Sequence, residues 1–488
     1  MPQASRRNAL LVYPRFEGTS FWNYQATCEL MGARYSAAPL GLITVAALLP
    51  ESWEIRLVNR NTEELREEDL AWADVVMTGG MLPQQPDTLR IVEMAHALGQ
   101  PVVVGGPDAT CSPETYAAAD FLVLGEAEEI MADFVAAFEG GAGKGVFEAS
   151  RFPDVTRSPV PRFDLLQLDH YLHVGVQYSR GCPFDCEFCN VIDLNGRVPR
   201  AKTTEQVLRE LDALRAVGYR GHVDFVDDNL IGNRKALKPF LRDLRRWLDD
   251  RGRPFEFSTE ASLDLAEDDE LLRLMREANF FAIIVGLDAE PETAAREMIA
   301  CIEVASIPVC MVGLLYALPG TRLARRLHAE GRLEEKPFEV LAGDADQCTS
   351  GLNFTGRRPR ADVLADYQEV LRTIYAPAAY FGRARRAARL LDRSAHSIRP
   401  PLRHVLRDLR GFGRMAWRMG VRDPEVRLEW WKTLVDTALH NPAALKIVMS
   451  FAALYVHLGP FSTDLVGRLD GMIARSPPNG KAPAALAS

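Results

Sequence analysis

The sequence has no excess of basic residues. Its 488 residues include 57 Lys and Arg against 66 Asp and Glu, so the formal net charge is −9. Because a nucleic-acid-binding protein needs a basic surface to contact phosphates, this balance argues against nucleic acid as the main partner. No Ser/His/Asp constellation or phosphate-binding loop is recognisable either.

Cysteine is scarce, and most of it is scattered. Five of the eight cysteines have no spacing that suggests pairing: Cys28, Cys111, Cys301, Cys310 and Cys348. A disulfide framework is therefore not predicted, and a reducing cytoplasm is the expected compartment. The N-terminus runs directly into a strand-like segment rather than into the apolar stretch of a signal peptide.

Long apolar runs are also lacking. One mostly apolar segment, residues 443–458, is interrupted by Lys446 and His457 and is shorter than the roughly 20 residues that a membrane span requires. We expect a buried helix there. A helix that touches a membrane surface or a lipid-like substrate stays open as the alternative.

The other three cysteines fall within eight residues. Cys182, Cys186 and Cys189 lie in a polar, glycine-containing stretch, 179–190, that follows a strand-like run. Thiolates this close on one loop can bind one metal centre, and three rather than four leave a coordination position for another ligand. A zinc site, which normally needs a fourth Cys or His nearby, and a chance arrangement are the alternatives.

The spacing of these cysteines, with Phe188 just before the last one, resembles the radical SAM signature. The resemblance implies that Cys182, Cys186 and Cys189 bind three irons of a 4Fe-4S cluster. It also implies that the fourth iron binds S-adenosylmethionine (SAM).

The first third of the chain alternates apolar runs with helical patterns. Runs at 9–13, 55–58, 75–78, 102–104 and 121–124 are typical of buried parallel strands. They predict an α/β, doubly wound, Rossmann-like sheet with ligand sites at the carboxyl ends of its strands. Turn residues at the ends of the last three runs are therefore predicted cofactor contacts: Thr78, Gly79, Gly105, Gly106, Gly125 and Glu126.

Together with the cysteine loop, this order resembles the cobalamin-binding domain that is fused to many radical SAM proteins. The loop at 13–18 lacks the Asp-x-His-x-x-Gly pattern whose His ligates cobalt in other cobalamin folds, and His96 is the only His before residue 150. A bound cobalamin is thus expected to have no His ligand from this loop. A sheet domain without a cofactor is the alternative.

Strand–helix units continue after the cysteine loop, with strands expected at 223–227 and 255–260. Such repeats predict a barrel with its chemistry at the carboxyl face. The predicted SAM contacts, among which the resemblance supports Glu260 most directly, are Asp227, Asp228, Asn229, Glu260 and Gly286. A helix N-cap is the alternative for residues 227–229.

The barrel is shorter than the resemblance leads us to expect. Residues 279–282 run directly into 283–288, so about one strand–helix unit of roughly 30 residues is missing. We expect a partial (β/α) radical SAM barrel with exposed edges, and a further strand at 309–316. Either the chain is catalytically impaired, or neighbouring elements cover the gap.

The last third is mostly helical and rich in arginine. We interpret nine of its arginines as a solvated helix face rather than a nucleic-acid stripe: Arg383, Arg385, Arg386, Arg389, Arg393, Arg399, Arg403, Arg407 and Arg410. Stretches between 346 and 360 resemble the opening of a helical extension in a subgroup of cobalamin-binding radical SAM proteins that includes hopanoid methylases. The absence of a second cysteine cluster argues against tRNA methylthiolation.

Four regions are predicted: a cobalamin-binding domain (1–138), a linker (139–170), the radical SAM barrel (171–335) and a helical C-terminal domain (336–488). The resemblance implies a cytoplasmic C-methyltransferase that uses a 4Fe-4S cluster, SAM and cobalamin on an unactivated carbon of a small or lipid-like substrate. An electron donor such as flavodoxin or ferredoxin is expected, and peripheral membrane contact stays open. The alternatives are a non-methylating rearrangement or cyclisation and an inactive cofactor-binding protein.

Overall fold

The computed structural model describes residues 6–16, 24–284, 294–334, 352–391 and 402–475. The strands are β1 (Asn8–Tyr13), β2 (Tyr35–Ala37), β3 (Glu54–Asn59), β4 (Val75–Gly79), β5 (Val102–Gly105), β6 (Phe121–Leu124), β7 (Gly145–Glu148), β8 (Tyr171–Val176), β9 (Ser179–Arg180), β10 (Arg200–Ala201), β11 (Gly221–Phe225), β12 (Phe255–Glu260) and β13 (Phe280–Ile284).

The helices are α1 (Gln25–Met31), α2 (Leu40–Ala46), α3 (Glu67–Trp72), α4 (Gln85–Ala97), α5 (Pro107–Cys111), α6 (Met131–Glu139), α7 (Val191–Asn195), α8 (Thr204–Ala216), α9 (Arg234–Asp250), α10 (Asp269–Glu277), α11 (Ala294–Val304), α12 (Arg322–Ala329), α13 (Arg360–Ile374), α14 (Pro377–Leu390), α15 (Leu402–Trp417), α16 (Arg427–His440) and α17 (Leu445–Arg475). A π-helical turn, Arg418–Arg422, follows α15.

The first sheet contains six parallel strands in the order β3-β1-β4-β5-β6-β7. Both of its faces are buried: Leu10 and Val12 of β1 pack on one side, and Ala9 and Leu11 pack on the other. This two-sided burial explains the continuous apolar runs in the sequence, and the predicted doubly wound sheet is confirmed. Strand β7 lies inside the stretch that was predicted to be a linker.

The second sheet is also parallel, in the order β13-β12-β11-β8-β2. Its apolar face is covered by the helices that follow its strands, with Leu211, Leu244 and Leu274 buried against it. Strand β2 was not predicted. It comes from the first third of the chain, yet it pairs with β8, the first strand of the barrel.

The strand predicted at 309–316 is wrong, because these residues have no regular secondary structure. Their carbonyl groups accept hydrogen bonds from side chains instead. Tyr375 Oη donates to Cys310 O at 2.5 Å and Tyr367 Oη donates to Val312 O at 3.0 Å. Strand β13 is the last strand of the sheet, so an apolar segment that follows it finds helices rather than a strand to bond with.

Helices of the last third join the two edges of the partial barrel. Helix α17 packs on α1, which precedes the edge strand β2, and α13 packs on α11, which follows the other edge strand, β13. Leu30 of α1 and Ile302 of α11 are buried in the same apolar core as the C-terminal helices. This arrangement supports the interpretation that neighbouring elements cover the gap in the barrel.

The apolar segment at 443–458 belongs to α17, and it is largely buried as predicted. Val448, Ala452 and Leu458 are at most 1% exposed. By length and composition, residues 442–474 could also cross a membrane, although 56% of their most apolar window is buried within the protein. The burial favours a core helix.

The arginines of α14 do not form one solvated face. Arg385, Arg386 and Arg389 form ion pairs with carboxylates of neighbouring helices, and Arg383 is fully buried against Glu303. The prediction of a solvated face is therefore wrong for Arg383. Arg393 and Arg399 lie outside the described residues.

Candidate cofactor site

The cysteine loop begins and ends in a short antiparallel ladder. Strand β9 pairs with β10, Ser179 opposite Ala201 and Arg180 opposite Arg200. Within the loop, Cys182 N donates to Gly196 O at 3.1 Å. Gly181 has φ +96°, and a Cβ atom there would lie 3.0 Å or less from three carbonyl oxygens. The loop is therefore closed tightly at its base, and only glycine fits at residue 181.

Cys182, Cys186 and Cys189 are partly buried and form no disulfide. Burial raises the pKa of the Cys189 thiol, and the neighbouring Cys186 and Cys182 raise it further. Within the part of the chain that the structure describes, no group of three or more His, Cys, Asp or Glu side chains is placed to hold a single metal ion.

Asp227 holds the start of the cysteine loop in place. Its carboxylate is 2% exposed and accepts hydrogen bonds from Tyr178 N at 3.0 Å, from Ser179 Oγ at 2.6 Å and from Ser179 N. Burial raises the pKa of Asp227 to about 7, and these hydrogen bonds oppose that shift. Both oxygens are already used within the protein, so the observed role of Asp227 is to position the loop.

Asn229 also bonds within the protein. Its Oδ1 accepts from Ser262 N at 3.2 Å, and its Nδ2 donates to Ser262 Oγ at 3.1 Å, which ties the end of β11 to the loop after β12. Asn229 occupies the N-cap position of the 3-10 turn Leu230–Asn233, but its side chain makes no capping bond there, and Asn233 caps α9.

Two other predicted SAM contacts, Asp228 and Glu260, lie at the carboxyl ends of β11 and β12. Asp228 accepts from Asn195 Nδ2 at 3.1 Å, and burial raises its pKa. Glu260 lies at the carboxyl end of β12, and its side chain is exposed to solvent. The protein around it nevertheless reduces the solvation of its carboxylate, which raises the pKa to about 7, and repulsion from Asp224 and Asp228 raises it further. Such carboxylates can accept hydrogen bonds from an ammonium group or from ribose hydroxyls. Gly286 lies outside the described residues.

The carboxyl edge of the first sheet is almost free of side chains near β4 and β5. A Cβ on Gly79 would collide with the carbonyl oxygen of Gly105, and one on Gly105 would lie 2.9 Å from Val123 O. Thr78 Oγ1 donates to Val12 O at 2.9 Å. Gly79 and Gly105 therefore let neighbouring strands approach closely, and Thr78 ties β4 to β1. Cofactor contacts of Thr78, Gly79, Gly105, Gly106 and Gly125 stay predictions.

No histidine of the first sheet reaches that edge. His96 Nε2 lies 2.8 Å from Asp120 Oδ2, and the same carboxylate oxygen accepts from Val102 N. Asp120 and Val102 are at the amino ends of β6 and β5, which is the opposite end of the sheet. The expectation that a bound cobalamin takes no His ligand from the loop at 13–18 stays a prediction.

Glu126, predicted as a cofactor contact, instead pairs with two arginines of the cysteine-loop ladder. Arg180 Nη1 lies 2.6 Å from Glu126 Oε2, and Arg200 bonds Glu126 Oε1. Arg180 also lies 2.7 Å from Glu128. We call Glu126, Glu128, Arg180 and Arg200 the interdomain ion cluster. All four side chains are less than 20% exposed. A cofactor contact of Glu126 stays a prediction.

The ion cluster places the carboxyl edge of the first sheet beside the cysteine loop. A second contact has the same effect, because Asn190, the residue after Cys189, donates to Cys111 Sγ of α5 at 3.4 Å. Sequence reasoning missed Glu128, Arg180 and Arg200. Two arginines at the ends of a cysteine loop were the available signal, but their partners lie more than 50 residues away.

A polar row lines the inner face of the partial barrel, and it was also missed. His222 Nε2 lies 2.6 Å from Ser258 Oγ, which bonds Asp224, and the rings of His173 and His222 are 5.0 Å apart. Burial lowers the pKa of His222 well below its usual value. The alternation of apolar and polar residues along β11 and β12 was the signal that could have found this row.

Three families match this chain in consecutive segments. Residues 32–135 match the B12 binding domain, residues 176–300 match the Radical SAM superfamily, and residues 321–470 match a domain of unknown function, DUF4070. The matched order is the one expected from the sequence.

Two relatives are similar over nearly their whole length. An uncharacterised methyltransferase of Synechocystis sp. is 37% identical, with 92% of this chain and 91% of the relative covered. The hopanoid C-2 methylase of Rhodopseudomonas palustris is 32% identical, with 93% of this chain and 94% of the relative covered.

A solved structure has the same fold. The cobalamin-dependent SAM radical enzyme OxsB, solved with aqua-cobalamin and SAM bound, is 12% identical, with a TM-score of 0.55 over 97% of this chain and 82% of that chain. The similarity covers the first sheet, the partial barrel and the C-terminal helices together. The two full-length relatives, together with the B12 binding and Radical SAM matches, identify this chain as a member of the cobalamin-binding radical SAM family.

Proposed function

We propose that this protein is a cobalamin-dependent radical SAM methyltransferase that acts on an unactivated carbon. The observation that carries the proposal is the interdomain ion cluster, which fixes the cysteine loop beside the bare carboxyl edge of the first sheet. A one-electron centre and a methyl carrier must lie near one substrate carbon for such a reaction, and the contact supports that proximity.

The residues divide into three groups in this proposal. Cys182, Cys186 and Cys189 would hold a 4Fe-4S cluster, with SAM at its open iron, and Asp228 and Glu260 would accept hydrogen bonds from SAM. The carboxyl edge around Gly79 and Gly105 would hold cobalamin. When bound, these cofactors supply reductive cleavage of SAM and a transferable methyl group.

The substrate is proposed to be lipid-like. The full-length similarity to a hopanoid C-2 methylase supports this class, and the helical C-terminal domain, which borders the open side of the barrel, would shape its pocket. An electron donor of the flavodoxin or ferredoxin type, peripheral membrane contact and a cytoplasmic location complete the proposal. The proposal also includes the domain boundaries after residues 138, 170 and 335.

The test is anaerobic reconstitution with iron, sulfide and cobalamin, followed by turnover with SAM and a polycyclic lipid. We expect 5′-deoxyadenosine and a product heavier than the substrate by one added methyl group. A C182A/C186A/C189A variant is expected to lose both, together with the visible spectrum of the cluster. 5′-Deoxyadenosine without a methylated product would favour the rearrangement or cyclisation alternative. An intact cluster without SAM cleavage would favour an inactive cofactor-binding protein.

A further inference from the structure

The surface of α15, the π-helical turn and α16 is unusually apolar. Among the described residues, seven of the 22 exposed large apolar side chains fall between 409 and 439, including both exposed tryptophans. We call these seven the α15–α16 patch: Leu409, Trp417, Val421, Leu428, Trp431, Val435 and Leu439. A cluster of this kind on a protein surface marks an interaction site more often than isolated apolar residues do.

Helix α16 shows the feature most clearly. Its inner face is buried through Trp430, Thr433 and Thr437, and its flank is fixed to α14 by ion pairs of Glu429 and Asp436. Its outer face should be polar in a helix that meets only water. Instead, Leu428, Trp431, Val435 and Leu439 line that face, and they are 42–75% exposed.

The patch continues from α16 onto the end of α15. Trp431 Nε1 donates to Gly420 O at 2.9 Å, and a Cβ on Gly420 would lie 3.0 Å from the Trp431 ring. Trp431 thus packs against the π-helical turn, next to Val421 and one turn beyond Trp417. Both helices contribute to one continuous surface.

Cations border this surface. Arg414, Arg418 and Arg422 line an open recess of about 670 Å³ together with Trp417 and two carboxylates, Glu29 of α1 and Asp423. Arg418, Arg422 and Arg427 have no carboxylate within ion-pair distance in the described part of the chain, whereas all four arginines of α14 do. The lining has three arginines against two carboxylates, and arginines without an ion-pair partner can bind anionic oxygens such as those of phosphate groups.

We infer that the α15–α16 patch docks this protein on the surface of an anionic lipid bilayer. Tryptophan and aliphatic side chains would enter the headgroup region, and the bordering arginines would contact lipid phosphates. Because the whole chain carries a net charge of −9, the arginines at this border favour this side for contact with an anionic membrane. The inference rests on the proposed function, since a lipid-like substrate would be taken from that membrane.

The test is co-sedimentation of the cofactor-loaded, full-length protein with vesicles, measured separately from turnover. We expect binding to vesicles containing phosphatidylglycerol, weaker binding to phosphatidylcholine alone, and a decrease with added salt. V435E/L439E is expected to reduce binding roughly tenfold, because it places two carboxylates in the patch. V146E, at an equally exposed apolar residue of β7, is the matched control and should bind like the wild type.

A second pair of variants tests the basic border. R418E/R422E should lose the preference for phosphatidylglycerol, and R418K/R422K should keep it. Wild-type protein that ignores the vesicles, or V435E/L439E protein that binds them normally, would overturn the inference. So would a wild-type dimer in sedimentation velocity that V435E/L439E converts to monomer, since the patch would then face a second copy. Vesicle binding without methylation would refute only the proposed function.

Discussion

Arg180 donates a hydrogen bond from Nη1 to Glu126 Oε2 at 2.6 Å, which links the start of the cysteine loop to the turn after β6. Both side chains are less than 15% exposed. A charged pair that is removed from water costs free energy unless each charge keeps its partners. Arg180 satisfies this condition through Gln177, Glu126 and Glu128, so the two regions are expected to move as one unit.

Replacing Glu126 with glutamine should loosen the cysteine loop. The variant leaves Arg180 and Arg200 with less buried negative charge, and we expect about 3 kcal/mol lower stability and less iron bound per chain after reconstitution. Urea unfolding and iron analysis measure the two effects. E129Q is the control, because Glu129 pairs with Arg151, which is 73% exposed, and should lose less than about 1 kcal/mol. Equal iron contents in both variants would contradict the prediction.

Gly181 should tolerate no side chain. G181A combines a left-handed backbone with a Cβ that meets three carbonyl oxygens, so we expect loss of the cluster spectrum as well as lower stability. Gly218 offers a matched control, because its φ is +90° but nothing lies within 4 Å of an added Cβ. G218A should cost about 1–3 kcal/mol through backbone strain alone and keep its iron. Iron loss in both variants would show that strain, not the collision, matters.

Arg383 should be the most sensitive arginine of α14. It is fully buried and donates to Glu303 Oε1 at 2.5 Å, to Ile307 O at 2.9 Å and to Ile374 O, so it joins α14 to α11 and to the segment after it. R383M leaves Glu303 and two carbonyl groups short of a donor, and we expect a loss of about 3–5 kcal/mol in chemical unfolding. R389M is the control, because Arg389 is 55% exposed. A similar loss in both would argue against a special role.

Most of the fold was predictable because buried segments can be recognised from their own apolar residues. The runs around Leu11, Val76 and Val103 predicted the first sheet, since strands buried on both faces must be apolar throughout. Strand β2 has no such apolar pattern. It is only three residues long and pairs with a strand more than 100 residues away, so its sequence resembles that of a short turn.

The site was predictable only where its functional residues are close together in the sequence. Cys182, Cys186 and Cys189 were found from spacing, whereas the partners of Glu126 and the polar row at His222 depend on how distant strands are arranged. Polar residues at strand ends also serve two purposes. Asp227 bonds the backbone of the cysteine loop, a role that no sequence pattern distinguishes from ligand contact, and its contact with SAM stays a prediction.

Glu260 should make both stability and SAM binding depend on pH, in opposite directions. The surrounding protein raises its pKa from 4.5 to about 7, with Asp224 and Asp228 adding to the shift. Between these two values the folded chain holds a proton that the unfolded chain has lost. Stability of the cofactor-free protein therefore falls as pH rises through this window.

SAM binding should instead improve as pH rises, because the ionised carboxylate is the better acceptor for an ammonium group. E260Q is expected to remove the part of the stability loss between about pH 5 and about pH 8 that Glu260 causes, and to bind SAM weakly at both pH values. Asp227 titrates in the same range in the wild type and in E260Q. Its contribution to the pH dependence of stability is therefore the same in both, and the difference between them reports on Glu260. Thermal unfolding of the cofactor-free chains and equilibrium binding to the cluster-loaded chains measure the two effects.

The matched control for this prediction is E256Q, which changes a carboxylate near the other end of β12. Glu256 pairs with Lys446 of α17 at 3.1 Å, away from the carboxyl edge where SAM is proposed to bind. E256Q should therefore keep the pH dependence of SAM binding that E260Q loses. If both variants bind SAM with the wild-type pH profile, Glu260 does not contact SAM, and Asp227 and Asp228 would then be the remaining predicted carboxylates.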